Sequence, residues 1–397
     1  SIIFLKYNIF KVYNYTFKDY KYFIIMSTFG NYYKITTFGE SHSHSVGVTI
    51  NSPPPNFKLD IDKIQNQLNR RRPGQSAITT PRDEADTLII LSGMENNVTL
   101  GTPLTIIVNN KNTKPEDYVF SKDNYIPRPS HSDFTYLWKY GIHASSGGGR
   151  SSARETIGRV IAGAVADQIL EQYNVEIVSF VSQVGNIKLD KVPNNISRTL
   201  VDETITRCPN KEISTSMEEL ILELKNNGDS IGGKVSCIIK NCPRGLGEPV
   251  FDKMEALLAQ AMMSIPATKG FELGSGFSCI EQTGSQHNDK WINNQGNVST
   301  QTNNNGGIIG GITNGEDISF SVAFKPPATI LINQETINLK GDTVTLKAKG
   351  RHDPCVVPRA VPIVEAMASV VVLDLLLCQL SRKNINTNSK TYFDVIE

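Results

Sequence analysis

The 397-residue chain has no CxxC pair among its six cysteines (Cys208, Cys237, Cys242, Cys279, Cys355 and Cys378), so neither a zinc ribbon nor a redox dithiol is indicated and reduced structural thiols are expected. It has no surplus of charge either. Forty Lys and Arg residues stand against 39 Asp and Glu, a net charge of +1. No global field draws nucleic acid or an anionic membrane, and any polyanion must be held by a local cluster. The longest apolar run, from Val370 to Cys378, is broken by Asp374 and falls far short of the roughly 20 residues that span a bilayer. No Pro/Ser linker and no fixed-period repeat divides the chain. Residues 1–25 are aromatic and Lys-rich but lack the apolar core and cleavage site of a secretory signal. They read as an N-terminal extension, either a targeting peptide or translated upstream sequence, before a more natural start at Met26. The expected location is cytoplasmic, with plastid targeting left open by the extension, and residues 381–397 read as a polar tail.

With 39 % apolar and 20 % charged residues, the chain holds enough material for a real core and too little charge to stay expanded. Helical period appears over Asp60 to Arg71, Arg150 to Tyr173, Glu218 to Lys225, Asp252 to Ser264 and Pro362 to Leu380. In the second of these, Ser152 and Glu155 predict a capping box, and Ile157, Ile161, Ala164, Val165 and Ile169 an apolar face. The last is apolar nearly all round and reads as buried. Strands are expected over Thr87 to Leu91, Leu104 to Val108, Val175 to Val184, Lys234 to Lys240, Ile318 to Lys325 and Val344 to Lys347. Strand pairs without an intervening helix predict antiparallel pairing and a mixed α and β class. The polar stretch from Gln282 to Asn305 reads as a long loop.

GGGRSSARET, Gly147 to Thr156, runs a glycine-rich loop into a helix start, where close backbone approach, free N–H groups and the helix dipole favour an anion. A plain cap explains the serine and the glutamate, but not three glycines beside Arg150. A second glycine-rich loop, Asn303 to Gly315, lacks dinucleotide spacing and reads equally as close packing or ligand contact. Arg70, Arg71, Arg72, Arg82, Arg128, Arg150, Arg351 and Arg359 recur in Gly/Pro-rich surroundings. Taken singly, each is an ordinary surface arginine. Together they point to a small ligand bearing several carboxylates or phosphates, which guanidinium forks match bidentately. His42 and His131, in turn-rich segments, are candidate general acids, and Asp353, beside His352, either serves as a base or caps a turn.

Competing readings exist. His42 and His44 form HxH, as in a metal-dependent hydrolase, without evident further ligands. Gly228 to Gly232 matches GxSxG, but the expected order of helix, motif, strand reverses a nucleophile elbow. A non-catalytic binding module fits poorly with so many separate ionisable and glycine-rich segments.

TTFGESH (Thr36 to His42), RRRPGQS (Arg70 to Ser76), TTPRDEAD (Thr79 to Asp86), RPSHSD (Arg128 to Asp133), SGGGRSSARET (Ser146 to Thr156), SIPATKGFELGSGF (Ser264 to Phe277), GGIIGGITNG (Gly306 to Gly315), AFKP (Ala323 to Pro326) and RHDPCVVPRAVPIVEAM (Arg351 to Met367) together resemble chorismate synthases. The matches run in order from about Thr28 to Asp374. The resemblance implies an α+β fold, a single large domain with helices layered between antiparallel sheets, assembled as a homotetramer. It implies a redox-neutral 1,4-elimination that converts 5-enolpyruvylshikimate 3-phosphate to chorismate and phosphate with reduced FMN, and NADPH is a candidate reductant. No metal enters this picture. It implies His42 and His131 as proton donors and Asp353 as an aid to flavin deprotonation. Arg150, Ser151, Ser152, Pro266, Ala267, Gly310, Lys325, Pro326, Pro327, Ala328, Thr329 and Arg351 match positions that line the FMN site. Arg71, with Arg72 and Arg82, matches the basic segment that meets the substrate or a nicotinamide phosphate. The usual GESHG reads GESHS here, and if that glycine needs positive φ, Ser43 is strained by about a kcal/mol or more. Ser52 and Asn56 also stand where glycines are common, and Ala77 where many relatives carry an arginine.

Overall fold

A computed structural model describes residues 27–80, 84–111, 125–142, 148–346 and 352–383. The N-terminal extension, Arg82, Arg351 and most of the polar tail lie outside them.

Two five-stranded antiparallel sheets enclose a helical interior. The first contains β1 (Thr28–Phe29), β2 (Ile35–Gly39), β3 (Ser45–Ile50), β4 (Leu88–Ser92) and, beyond a small hairpin of β5 (Met94–Glu95) and β6 (Val98–Thr99), β7 (Leu104–Asn109), in the order β1-β2-β3-β7-β4. The second contains β8 (Glu176–Val184), β9 (Ile187–Lys188), β10 (Gly233–Lys240), β11 (Thr268–Leu273) and, after hairpins β12 (Trp291–Asn294) with β13 (Asn297–Thr300) and β14 (Ile308–Ile309) with β15 (Ile312–Thr313), β16 (Ile318–Phe324), in the order β11-β16-β10-β8-β9. A last hairpin joins β17 (Gln334–Ile337) to β18 (Thr343–Leu346).

Strand alternation sets the inward faces. Val46, Val48 and Ile50 face Val108, Ile106 and Leu104 across the β3/β7 pairing, and all six are buried. In the second sheet, Val235, Cys237 and Ile239 lie opposite Val322, Phe320 and Ile318.

The helices are α1 (Ile61–Arg71), α2 (Asp133–Tyr140), α3 (Thr156–Leu170), α4 (Arg198–Asp202), α5 (Lys211–Asn226), α6 (Met254–Met263), α7 (Gly284–His287) and α8 (Val357–Lys383). α3 lies on β2, β3 and β7, α8 lies on β8 and β10, and the two helices pack against each other at the centre. By length and composition α8 is apolar enough to cross a membrane, but 89 % of its most apolar window is buried in the fold, so it is the core helix.

Glycines permit this stacking. A Cβ on Gly158 would lie 2.7 Å from the Gly47 carbonyl oxygen, so α3 rests directly on the β3 backbone. Asp374 on α8 accepts hydrogen bonds from the backbone N–H groups of Asn31, Tyr32 and Tyr33 at 2.6–3.0 Å, and the Tyr33 hydroxyl donates to the Ala162 carbonyl on α3 at 2.8 Å. The turn between β1 and β2 is thereby fixed to both central helices.

Several expectations need correction. The segment read as a helix from Arg150 begins with two 3-10 turns, Gly149–Ser151 and Ala153–Glu155, and becomes α-helical only at Thr156. The capping box does not form: the Ser152 hydroxyl accepts from the Arg154 N–H, while Glu155 pairs with Arg159. The stretch read as a loop from Gln282 to Asn305 contains α7 and the β12/β13 hairpin. That hairpin buries no face, so its sequence carries no apolar alternation. Helix α8 starts at Val357, before Pro362. Pro362 has no N–H for the Pro358 carbonyl, and the Arg207 guanidinium donates to that carbonyl instead.

Glu365, on α8, is buried among Arg70 and Arg198 and also accepts from the Ser179 N–H at 3.0 Å. Burial alone would push its carboxyl up; Arg70 and Arg198 outweigh this and hold it below the usual range. Its contribution is present above the unfolded carboxyl value and is lost as pH falls through the lowered native one. Glu365→Ala is expected to cost about 3 kcal/mol, since Arg70 and Arg198 each lose their most buried partner and keep only Asp202 and Asp167, and denaturant unfolding at neutral pH measures this.

Candidate active site

The N-terminal end of α3 organises two side-chain clusters. On one side, Arg150 donates to the Gly39 carbonyl at 2.9 Å and to the Thr37 hydroxyl at 2.7 Å, tying the glycine-rich loop to the end of β2 just before His42. Arg154 donates to the Asn110 side-chain oxygen at 2.8 Å, and the Asn110 amide donates to the Glu40 and Ser43 carbonyls at 2.9 and 2.7 Å. The His42 turn is held from both ends. Ser41 Oγ and His42 Nδ1 are 2.9 Å apart.

Ser43 is unstrained. It is absent from the positive-φ residues, and its hydroxyl donates to the Glu40 and Ser45 carbonyls and accepts from the Glu40 N–H. The serine closes the turn by hydrogen bonding. Asn56, in contrast, takes φ +58°, the left-handed conformation a glycine supplies freely.

Deeper, Arg154 and Arg71 share Asp86, at 2.6 and 3.0 Å, and Arg154 also pairs with Glu84 at 2.8 Å. Burial pushes the Arg71 guanidinium down and Asp86 opposes this. Arg71, expected to meet the substrate, is instead buried and bonded to Asp86 and the Thr156 hydroxyl. Arg72 is half-buried and its side chain makes no hydrogen bond or ion pair among the described residues. It is the member of the arginine run left available to a ligand. Asp353 Oδ1 accepts from the Thr80 N–H at 2.9 Å, and Oδ2 accepts from Arg359.

On the other side, Arg159 of α3 grips Ser264 through its hydroxyl at 2.6 Å and its carbonyl at 3.1 Å. This places the Ser264–Ala267 turn, in which Ala267 takes φ +72° and its carbonyl accepts the Lys325 N–H at 2.9 Å. The Lys325 ammonium donates to the Ser130 carbonyl at 2.8 Å. Burial lowers its pKa, and Lys269 adds to this.

His131 Nδ1 lies 3.0 Å from the Pro129 carbonyl, an acceptor, so Nδ1 carries a proton, and Nε2 lies 2.9 Å from the Thr329 hydroxyl. Burial lowers the His131 pKa, the nearby Arg128 adds to this, and Asp133 partly opposes it. Arg128 is itself fixed by a two-pronged pairing with Asp133 at 2.7 and 2.8 Å. Arg128→Gln removes the cation and frees Asp133, both of which favour imidazolium, so the His131 titration midpoint is expected to move up. An NMR titration of labelled histidines checks the direction.

The second cluster thus gathers His131, Pro266, Ala267, Lys325 and Thr329. Ala328 lines a small cavity with His131 and Thr329, and the Pro327 carbonyl accepts from Oγ of Ser230, the GxSxG serine, at 2.7 Å. Ser151 is exposed, and Ser152 is spent on its own turn. Gly310, at φ +64°, tops the β14/β15 hairpin, which is bonded through Gly311 and Thr313 to the 245–254 segment. No group of three His, Cys, Asp or Glu side chains that could hold a metal forms among the described residues, around His42 and His44 included. A cavity of about 420 Å³ near Thr28, Lys34, Asp252 and Asp374 touches no expected site residue.

Sequence reasoning missed Asn110, Arg154, Arg159 and Asp86, which position the site. Arg154 and Asp86 lie inside motifs already singled out; Asn110 and Arg159 carried no signal of their own.

Glycine-rich turns, cations and a proton-bearing histidine gathered around one helix N-terminus, within two sheets enclosing helices, define an α+β enzyme that acts on a small anionic molecule. The sequence model of the chorismate synthase family matches residues 33–377. A chorismate synthase of Prochlorococcus marinus (strain MIT 9301) is 53 % identical over 365 residues, covering 91 % of this chain and 100 % of that one. That of Schizosaccharomyces pombe is 53 % identical over 386 residues, covering 90 % and 97 %. A crystal structure of chorismate synthase superposes with a TM-score of 0.70 at 29 % identity, covering 89 % of this chain and 93 % of that one. The chain belongs to the chorismate synthase family. It is an enzyme, a carbon–oxygen lyase of the chorismate-forming step in aromatic biosynthesis.

Proposed function

We propose that the enzyme converts 5-enolpyruvylshikimate 3-phosphate to chorismate and phosphate in a reaction that requires reduced FMN and gives no net redox change. The observation that carries this reading is the second cluster, in which His131 and the Lys325 ammonium sit on adjoining turns beside the α3 N-terminus. The donor set suits a flavin phosphate and a polyanionic substrate. Ser151 is exposed, and Gly310 has open space where a side chain would stand. Ser151, Lys325 and Thr329 would hold the flavin, with Pro266, Ala267 and Gly310 offering backbone. Arg150 acts at one remove, through the β2 carbonyls it binds.

Reduced FMN, when bound, would lend electron density to the substrate as phosphate leaves carbon 3 and recover it afterwards, with no net redox change. The chain's own residues manage charge and protons. The carbon 3–oxygen bond breaks with its electron pair leaving on phosphate, hydrogen is lost from carbon 6, and a second ring double bond forms. His131 takes up and delivers a proton at Nε2, because Nδ1 is fixed as a donor to Pro129. Lys325 and Arg72 stabilise the developing phosphate charge in a preorganised setting. His42 serves as a second proton donor, and Asp353 as the base. NADPH is the proposed source of reducing equivalents, and a homotetramer the proposed assembly.

Anaerobic titration with reduced FMN tests the cofactor assignment. Lys325→Ala is expected to weaken binding about tenfold, or roughly 1.4 kcal/mol. Unchanged affinity in a doubly substituted Ser151→Ala, Lys325→Ala protein would contradict this placement.

A further inference from the structure

We infer that Arg359 is a positioning residue for this reaction, acting through Asp353; the inference rests on the reading of Asp353 as the base. The argument starts at the C-terminus of α1. Pro73 has no N–H and forces Arg72 into extended backbone, with ψ 155°, so the helix stops and its last carbonyls need other donors. Side chains supply them. Arg207 and Gln75 donate to the Arg70 carbonyl, each at 2.7 Å, and Arg359 Nε donates to the Arg71 carbonyl at 3.1 Å. Gln75 is held in turn by Arg207 at 3.1 Å.

Arg359 alone among these donors has a second partner at the proposed site. Its Nη1 pairs with Asp353 Oδ2, while Asp353 Oδ1 is occupied by the Thr80 N–H. A guanidinium is planar and rigid, so fixing Nε on a helix-end carbonyl also fixes the direction in which Nη1 is offered. The side chain is largely buried, and its own backbone is set in the first turn of α8, where Arg359 N–H donates to the Val356 carbonyl. One side chain therefore spans the end of α1, the start of α8 and the Asp353 carboxylate. The Arg71–Arg72 backbone and the base are locked into one frame.

The consequence is a coupling between Arg359 and Asp353 that a merely stabilising arginine would not show. Four proteins are compared under anaerobic conditions with reduced FMN: the unsubstituted enzyme, Asp353→Asn, Arg359→Gln and the double variant. Asp353→Asn is expected to lower kcat about 100-fold or more. Arg359→Gln leaves the base present but misplaced, and is expected to lower kcat between about 10- and 100-fold. The double variant is expected to be no slower than Asp353→Asn alone, because Arg359 has nothing left to position. Arg359→Lys keeps the charge but cannot hold both acceptors at once, so its kcat is expected to fall with that of Arg359→Gln. It also serves if Arg359→Gln fails to fold. If the two factors multiply in the double variant, Arg359 acts independently of Asp353 and the inference fails while the catalytic reading stands. If Asp353→Asn retains full kcat, the reading of Asp353 as base fails and takes the inference with it.

Discussion

Gly163→Ala is expected to destabilise the protein by about 3 kcal/mol or more, although alanine in a helix interior ordinarily gains up to about 1 kcal/mol over glycine. The sign is reversed by geometry. A Cβ at Gly163 would lie 2.3 Å from both Cα and Cβ of Ala366 and 2.6 Å from its carbonyl oxygen. These are mainly backbone atoms of α8, so no side-chain rotation relieves the contact. The two central helices must separate, and both are buried nearly all round, which opens gaps against both sheets. With a total stability of the order of 5–15 kcal/mol, such a loss is large. Gly284→Ala is the matched control: it stands at the start of the exposed α7 with nothing within 4 Å of a Cβ, and is expected to be nearly neutral. Denaturant unfolding of the two variants decides the matter; equal stability would contradict the close helix crossing.

His131→Ala is expected to lower kcat by about 10²–10⁴ while the protein remains folded and binds reduced FMN. The ring is held by two hydrogen bonds, to Pro129 and Thr329, and its proton inventory is set by them. Thr329→Val removes the Nε2 partner and leaves the ring in place. At saturating reduced FMN its effect on kcat is expected to be smaller and to show in the pH profile, because a group whose pKa is lowered by burial and by Arg128 responds to the loss of a neighbour at Nε2, while the loss of a flavin-holding hydroxyl shows separately as weaker FMN binding. Steady-state kinetics across the range around neutrality separate the two variants. An unchanged kcat in His131→Ala would remove His131 from the chemistry.

Much of this was legible in the sequence wherever a local rule and the global fold agree. The six expected strands are all present, with ends shifted by a residue or so, because β-branched residues alternate toward one buried face. Helices α1, α3 and α8 follow from apolar period. What escaped the pattern did so for physical reasons. β2 and β3 are short and hold Gly39 and Gly47, residues that argue against a strand, yet a Cβ at Gly47 would lie 2.6 Å from the Ile106 carbonyl oxygen and 2.9 Å from the Phe38 ring, so only glycine fits between its strand neighbours. α2 has no buried residue and hence no apolar stripe to read. α4 is a five-residue helix, below the length at which period is informative.

The site divides in the same way. Histidines, glycine-rich turns and Lys325 announce themselves by residue type and setting. The arginines do not, because type alone cannot tell a guanidinium aimed at a ligand from one that ties the fold together. Arg70 pairs with Glu365 and Asp202, Arg71 with Asp86, and Arg150 with β2 carbonyls. Only the folded chain shows that, among the described residues, Arg72 is the one of its run whose side chain has no partner.

The most direct test of the central claim is phosphate release from 5-enolpyruvylshikimate 3-phosphate under anaerobic conditions, measured with chemically reduced FMN, with oxidised FMN plus NADPH, with no flavin, and with a chelator added to each. Release that requires reduced FMN, is matched by chorismate and is indifferent to the chelator is the predicted result, and activity in the NADPH arm would mark the enzyme as its own flavin reductase. Release without flavin that the chelator abolishes would contradict the account.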